Sequence, residues 1–294
     1  MRLLEQALEN IKPTSEEVKE LTERAKRVIF KIKSVLEEEV VLGGSGVKGT
    51  WLKGEHDIDI FVMFDYDRYS NRSNLISDLL EIKLKKIFRD LERFHGSRDY
   101  FRISEGGFIF EIIPILKIKK SSEAKNITDV SPLHSKWINK KIKEKGRKSL
   151  GDEIRLLKQF CKSARVYGAE SYIKGLSGYV CEILTVYYGS FLRVIRNAVK
   201  WKDKVVIDVE GYYNGKNVIK ELSFSKTYSP LIVIDPVQKE RNASASISKE
   251  KFILFRSKCK EFLKKPDLSF FSEKEITIND IKIIAGRRKF IILS

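Results

Sequence analysis

The stretch 43-GGSGVKGTWLKGEHDIDIF-61 places a glycine-rich turn shortly before two aspartates separated by one isoleucine. Residues two apart on a strand point to the same face, so Asp57 and Asp59 present their carboxylates side by side while Ile58 and Ile60 turn into a core. Two adjacent carboxylates repel unless they are protonated or bridged by a cation. Mg²⁺ answers that need, because it typically takes one or two carboxylates together with substrate phosphates. Upstream, Gly43, Gly44 and Gly46 allow a tight turn that brings backbone N–H groups and the Ser45 hydroxyl close to an anion. Lys48 adds a positive charge there. The plainer alternative is a solvated pair of aspartates on an exposed strand face.

Working outward, Thr14-Ser15-Glu16-Glu17 reads as a capping box. Val18, Leu21, Ala25, Val28, Ile29, Ile32 and Leu36 then keep helical spacing, which predicts one amphipathic helix over 15–38. Val40-Val41-Leu42 enters the glycine turn as a short strand, and 57–64 is a buried strand. A helix is expected over 73–93. "RDYFRI" and "FIFEIIPIL" follow as two strands around Glu105-Gly106-Gly107, a hairpin signal. In the second of them Phe108, Phe110 and Ile112 fall on one face, and Ile109, Glu111 and Ile113 on the other. A lone glutamate in such an apolar strand is costly if it is buried, charged and unpartnered. Its partner is either a cation shared with Asp57 and Asp59 or an arginine such as Arg102. Two metal ions held by three carboxylates are the standard apparatus of in-line phosphoryl displacement.

Ser131-Pro132 predicts a helix start with an N-cap serine, and that helix runs into the basic stretch 139-NKKIKEKGRK-148. Helical patterns continue from 152 to about 200. Strands are expected near 204–209 and 230–234, a helix near 248–264, and further strands after 273. The 294 residues suit two domains and a third piece, and 42% hydrophobic content is enough for real cores. The longest apolar runs are far short of a membrane span, and the N-terminus has no apolar h-region of a secretory signal. Three cysteines without metal-type spacing read as reduced interior thiols of a cytosolic protein. A net charge of +17 favours polyanionic partners, nucleic acid first. Genome bias or a hot habitat is the competing source of so many lysines.

Gly-Ser, an eleven-residue gap and Asp-x-Asp in a helix–turn–strand context mark the nucleotidyltransferase superfamily related to DNA polymerase β. With "HGSRDYFRI", "FEIIPILKI", "NITDVSPLHSKWI", "DEIRLLKQFCKSARVYGAE", "GLSGYVCEILTVYYGSF" and "IDPVQKERNASASIS", the chain closely resembles the archaeal (class I) CCA-adding tRNA nucleotidyltransferases, in order, to about residue 272. The resemblance implies an α+β fold: a polymerase-β-like catalytic domain (1–130), a mainly helical central domain (131–200), a second small α+β region completing the site (201–272) and the start of a tail domain (273–294). It implies template-independent addition of C, C and A to the 3′ end of tRNA from CTP and ATP, with two Mg²⁺ ions and release of pyrophosphate.

By the same resemblance Asp57, Asp59 and Glu111 match the metal-binding catalytic carboxylates. The third is commonly aspartate in the family, so Glu111 is a departure. Gly44, Ser45, Lys48, His134, Lys158, Tyr167 and Arg241 match nucleotide contacts. Lys140, Lys141, Lys143, Lys145, Arg147 and Lys148 are candidates for holding acceptor-stem phosphates. On the residues alone, Lys158 reads first as a solvated lysine, Tyr167 equally as core or ligand, and Arg241 alternatively as a salt bridge to Glu240 or Asp235. Family members continue well past residue 294. An engineered truncation, a naturally reduced enzyme, and one half of a split enzyme with a homodimeric or second-polypeptide partner are the readings left open. An A-only or C-only enzyme, or a tRNA-binding subunit, is the functional alternative, in a cytoplasmic protein.

Overall fold

The computed structural model describes residues 2–55, 57–144 and 150–273. The expected phosphate contacts Lys145, Arg147 and Lys148, and the strands expected beyond 273, lie outside the described residues. The chain begins with α1 (Arg2–Ile11) and α2 (Ser15–Lys33). The capping box is present: Thr14 Oγ1 accepts from the Glu17 amide at 3.2 Å, and Glu17 Oε2 accepts from the Thr14 amide at 2.7 Å. α2 stops before the expected residue 38, because Ser34 closes its last turn onto the carbonyls of Phe30 and Lys31 and the chain must turn to pair as a strand.

Next come β1 (Glu39–Leu42), the single-turn α3 (Gly44–Lys48), β2 (Asp57–Asp65), α4 (Tyr66–Tyr69) and α5 (Ile76–Leu84). β3 (Glu92–Phe94), β4 (Tyr100–Glu105) and β5 (Phe108–Lys117) complete a sheet of order β1-β2-β5-β4-β3. β2 and β5 run parallel, and the other pairs are antiparallel. The helix expected over 73–93 is thus divided into a 3₁₀ stretch, α5 and the edge strand β3. Long-range pairing overrides local periodicity here: β3 joins β4, and Arg93 is tied to Asp78, Glu81 and Asp99.

One face of this sheet is apolar. Ile58, Ile60, Val62 and Phe64 pack with Phe110 and Ile112 against Leu21, Ala25, Val28 and Ile32 of α2 and Ile76, Leu80 and Leu84 of α5. Truncating such a residue, Ile60→Ala for example, would cost about 2–5 kcal/mol. The opposite face carries Asp57, Asp59 and Glu111.

After the sheet follow α6 (Ser131–Glu144), α7 (Leu150–Ser163), α8 (Gly178–Tyr188) and α9 (Phe191–Ala198). Ser131 is the first helical residue of α6 rather than its N-cap; a 3₁₀ turn over Ile127–Val130, capped by Asn126, feeds directly into it. β6 (Val205–Ile207), α10 (Val218–Glu221), α11 (Phe224–Thr227), β7 (Leu231–Asp235), β8 (Gln238–Asn242) and α12 (Lys249–Lys264) follow. The second sheet has the order β6-β7-β8. A second core gathers α1, α7, α8, α9 and α12 around Phe160, whose ring meets those of Phe191, Phe255 and Phe262. Cys161, Cys181 and Cys259 are free and buried in it. No helix among the described residues is long and apolar enough to cross a membrane.

Candidate active site

The parallel ladder between β2 and β5 sets Asp59 directly opposite Glu111, with Asp57 opening β2 on the same face. Gly43 anchors the glycine turn to this ladder by donating its amide to the Asp59 carbonyl at 2.8 Å. The next residue, Gly44, has φ +54°, and a Cβ there would lie 1.6 Å from Asp59 Oδ2. Only glycine lets the turn press its backbone against that carboxylate. Burial pushes the Asp59 carboxyl up to about 6; the charges of Glu111 and Asp57 add to the rise, while Lys48 and Lys158 oppose it.

Glu111 has the arginine partner. Arg102, its cross-strand neighbour on β4, donates to Glu111 Oε1 from Nε at 2.8 Å and from Nη2 at 2.5 Å. Its guanidinium lies 4.4 Å over the Phe94 ring. Among the described residues no three acidic, histidine or cysteine side chains close into a ready cage for a metal ion. The donor chemistry nevertheless suits a hard divalent cation. Asp57 and Asp59 offer oxygen donors alone, and among the described residues the crowded Asp59 carboxylate lacks a neutralising neighbour as close as the one Glu111 has. Arg102 bonds only Oε1 of Glu111, so Oε2 lies outside that pair.

A cavity of about 200 Å³ opens beside the acids, lined by Gly44, Lys48, Asp59, Thr128, His134 and Tyr179 among others. A larger one, about 870 Å³, occupies the far half of the same sheet face and shares Phe61 and Ser135 with it, away from the acids. Lys48 Nζ bonds Glu182 Oε2 at 2.7 Å, and Lys158 Nζ bonds Glu182 Oε1 at 3.0 Å. Burial raises the Glu182 carboxyl, but Lys158 and Lys48 outweigh it and bring it to about 2. Lys158 is buried rather than solvated, and Tyr167 is half-buried with its phenol pushed up by burial; neither lines the cavity. Ser45 sits in the first turn of α3, outside the cavity lining.

A second cluster surrounds the buried Asp235. Its Oδ2 pairs with His134 Nε2 at 3.0 Å and with Arg241 Nη1 at 2.6 Å; its Oδ1 accepts from Tyr179 Oη at 3.2 Å. The His134 ring stacks on Tyr179 at 4.0 Å. Burial lowers the His134 pKa, with Asp235 opposing. Arg241 lines a neighbouring cavity of about 500 Å³ with Ser177, Gln238 and Asn242. On α6, Lys140 and Lys143 are exposed, whereas Lys141 is held by Glu210 at 2.8 Å over the Trp137 ring. Asp235 is the salt-bridge partner that the sequence offered Arg241 beside Glu240, but its bonds to His134 and Tyr179, and Glu182 altogether, did not stand out in the sequence. The rule that singled out Glu111, a lone acid in an apolar run, applies equally to "VCEILTV" and "LIVID".

A family model described as "Nucleotidyltransferase domain" matches residues 19–134, and one described as "tRNA nucleotidyltransferase, second domain" matches residues 152–272. A CCA-adding enzyme of Nanoarchaeum equitans is 44% identical over 242 residues, covering 80% of this chain and 59% of that protein. Those of Sulfurisphaera tokodaii and Methanocaldococcus jannaschii are 38% and 34% identical, covering 92% and 95% of this chain and 61% and 63% of theirs. The chain therefore spans about three-fifths of the length of these relatives. Among solved structures, the Cid1 poly(U) polymerase superposes with TM-score 0.73 at 15% identity, over 93% of this chain and 98% of its own. A cytoplasmic RNA terminal U-transferase does so with TM-score 0.70 at 15% identity, over 94% and 98%.

The sheet, the glycine turn and the paired acids define a polymerase-β-like nucleotidyltransferase fold. Within that class the chain belongs to the family of archaeal CCA-adding tRNA nucleotidyltransferases.

Proposed function

We propose that the chain adds C, C and A to the 3′ end of tRNA from CTP and ATP. The observation that carries the reading is the in-register pair Asp59–Glu111 at a cavity shared with Gly44, Lys48 and His134. Asp57, Asp59 and Glu111 would hold two Mg²⁺ ions, which when bound neutralise the triphosphate and make the RNA 3′-hydroxyl more acidic. The rest falls to the chain itself. Lys48 meets the triphosphate with a fixed positive charge, and the Gly44–Ser45 backbone approaches it without side-chain obstruction. His134, bonded through Nε2 to Asp235, turns its ring into a wall of the cavity. Arg241, held by Asp235, presents its remaining donors to a base edge. Glu111, through the oxygen not engaged by Arg102, accepts the proton of the attacking hydroxyl. The acceptor stem rests on basic surface that includes Lys140 and Lys143.

The test uses tRNA lacking CCA, ending in C, or ending in CC, each incubated with CTP or ATP alone, on full tRNA and on an acceptor-stem minihelix. Stepwise addition of two C and one A is expected. The paired substitution Asp57→Ala with Asp59→Ala should lower incorporation by about 10³-fold or more with the fold retained. Undiminished incorporation by that variant would overturn the assignment. Addition of one nucleotide type only, or activity that requires a second polypeptide, would replace it with the corresponding narrower reading.

A further inference from the structure

We infer that Glu182 is the positioning residue of the phosphate-binding Lys48: fully buried, its carboxylate holds Lys48 on one oxygen and the buried Lys158 on the other, fixing the Lys48 ammonium group before a nucleotide arrives. The inference rests on the reading of Lys48 as a triphosphate contact.

The geometry is closed on one side and open on the other. Glu182 is fully buried, and the side chains of Lys158 and Lys48 are 3% and 10% exposed. Thr50 Oγ1 donates to Glu182 Oε1 at 2.8 Å and accepts from Lys158 at 3.2 Å, while the Thr50 carbonyl accepts from Lys158 at 3.3 Å. An ammonium has three donors. Lys158 directs its donors at Glu182 and the two Thr50 oxygens. Lys48 bonds Glu182 and also lines the cavity beside Asp59, so its outward side faces the nucleotide. One carboxylate between two ammonium groups leaves a net charge of +1, which still attracts an anion.

A carboxylate is a poor choice for filling a core, since well-packed apolar residues usually do as well or better than a buried ion pair. What it supplies here is location. Two lysines on flexible stems repel each other and lose rotamer freedom when they converge. A shared counter-ion removes the repulsion and sets both directions. The backbone is arranged for this approach: a Cβ on Gly178 would lie 2.7 Å from Tyr167 Oη and 3.6 Å from Lys158 Nζ. Gly178 and Glu182 are four residues apart on α8 and so share a helix face. Lys48 arrives from α3 and Lys158 from α7, so Glu182 joins the glycine turn to the helical core.

The experiment measures Glu182→Gln alone and in a Lys48→Met background, by KM for CTP, KM for RNA, kcat, and equilibrium binding of Mg-CTP. In the single variant, KM and Kd for CTP should rise about tenfold while the KM for RNA stays within about twofold. In the Lys48→Met background the same substitution should add less than about twofold, because the two residues act as one unit. Unchanged CTP binding in Glu182→Gln, or an equal further loss in the Lys48→Met background, would overturn the inference. Should Glu182→Gln fail to fold, Thr50→Val decides: it keeps every charge and should raise the Kd for CTP about threefold, and no change would overturn the inference. Normal CTP binding by Lys48→Met alone would instead remove the phosphate reading of that lysine, and this inference with it.

Discussion

Asp59 is where the requirements of function and folding diverge most plainly. Its carboxyl titrates near 6 in the folded protein against an ordinary value of 3.8, chiefly because it is buried and because Glu111 and Asp57 crowd it. The native state therefore holds this proton more tightly than the unfolded chain does. Stability falls as pH climbs from about 4 to 6, and the loss then persists at neutral pH. In metal-free buffer at pH 7, Asp59→Asn should be more stable than the parent by up to about 3 kcal/mol, with the difference shrinking to under about 1 kcal/mol at pH 4. Urea unfolding at both pH values checks this, and equal stability of the two proteins at pH 7 would count against the crowding. Glu182 is the opposite case: its acidity is deepened by Lys158 and Lys48, so its contribution is present at neutral pH and fades only as pH falls from about 4.5 toward 2. One acid asks for a cation, and the other already has two.

At the scale of elements, the site is a property of how β4, β5 and β2 lie side by side. Arg102 on β4 and Asp59 on β2 flank Glu111 on β5 from either side. A cation on Asp59 and the guanidinium of Arg102 thus compete for one carboxylate. Arg102→Gln should bind Mn²⁺ several-fold more tightly than the parent, read by paramagnetic resonance titration of the free ion; unchanged affinity would argue that Glu111 stays out of any metal site. Much of this arrangement was legible in advance. The alternation around Ile58 and Ile60, the Thr14–Glu17 box and the Gly106-Gly107 hairpin are local signals with local causes. β3 was not legible, because its residues continue a helical pattern and only pairing with Tyr100–Arg102 makes them a strand. The partner of Glu111 stayed open for the same reason: sequence indicates that a buried acid needs a neighbour, but cross-strand register decides which one it has.

Across the whole molecule, two cores meet at shared carboxylates rather than at a broad apolar seam alone. Glu182 ties α3 to α7 and α8, and Asp235 ties α6 to α8 and β8. Neither junction could be read from periodicity, which describes one element at a time. The excess of 57 Lys and Arg over 40 Asp and Glu acts at this scale as well. RNA affinity should fall steeply with salt, log K declining by about 0.7–0.9 per phosphate contact for each unit of log salt; a flat dependence between low and physiological salt would rule out the basic surface as an RNA-holding face. The register of β2 against β5 carries a further consequence. Because backbone hydrogen bonds set the distance between Asp59 and Glu111, their separation is a fixed ruler that no loop movement can stretch. The remaining fine adjustment is the length of the third acid's arm, and exchanging aspartate for glutamate moves its oxygens by about 1.5 Å, a vernier setting on an otherwise rigid scale.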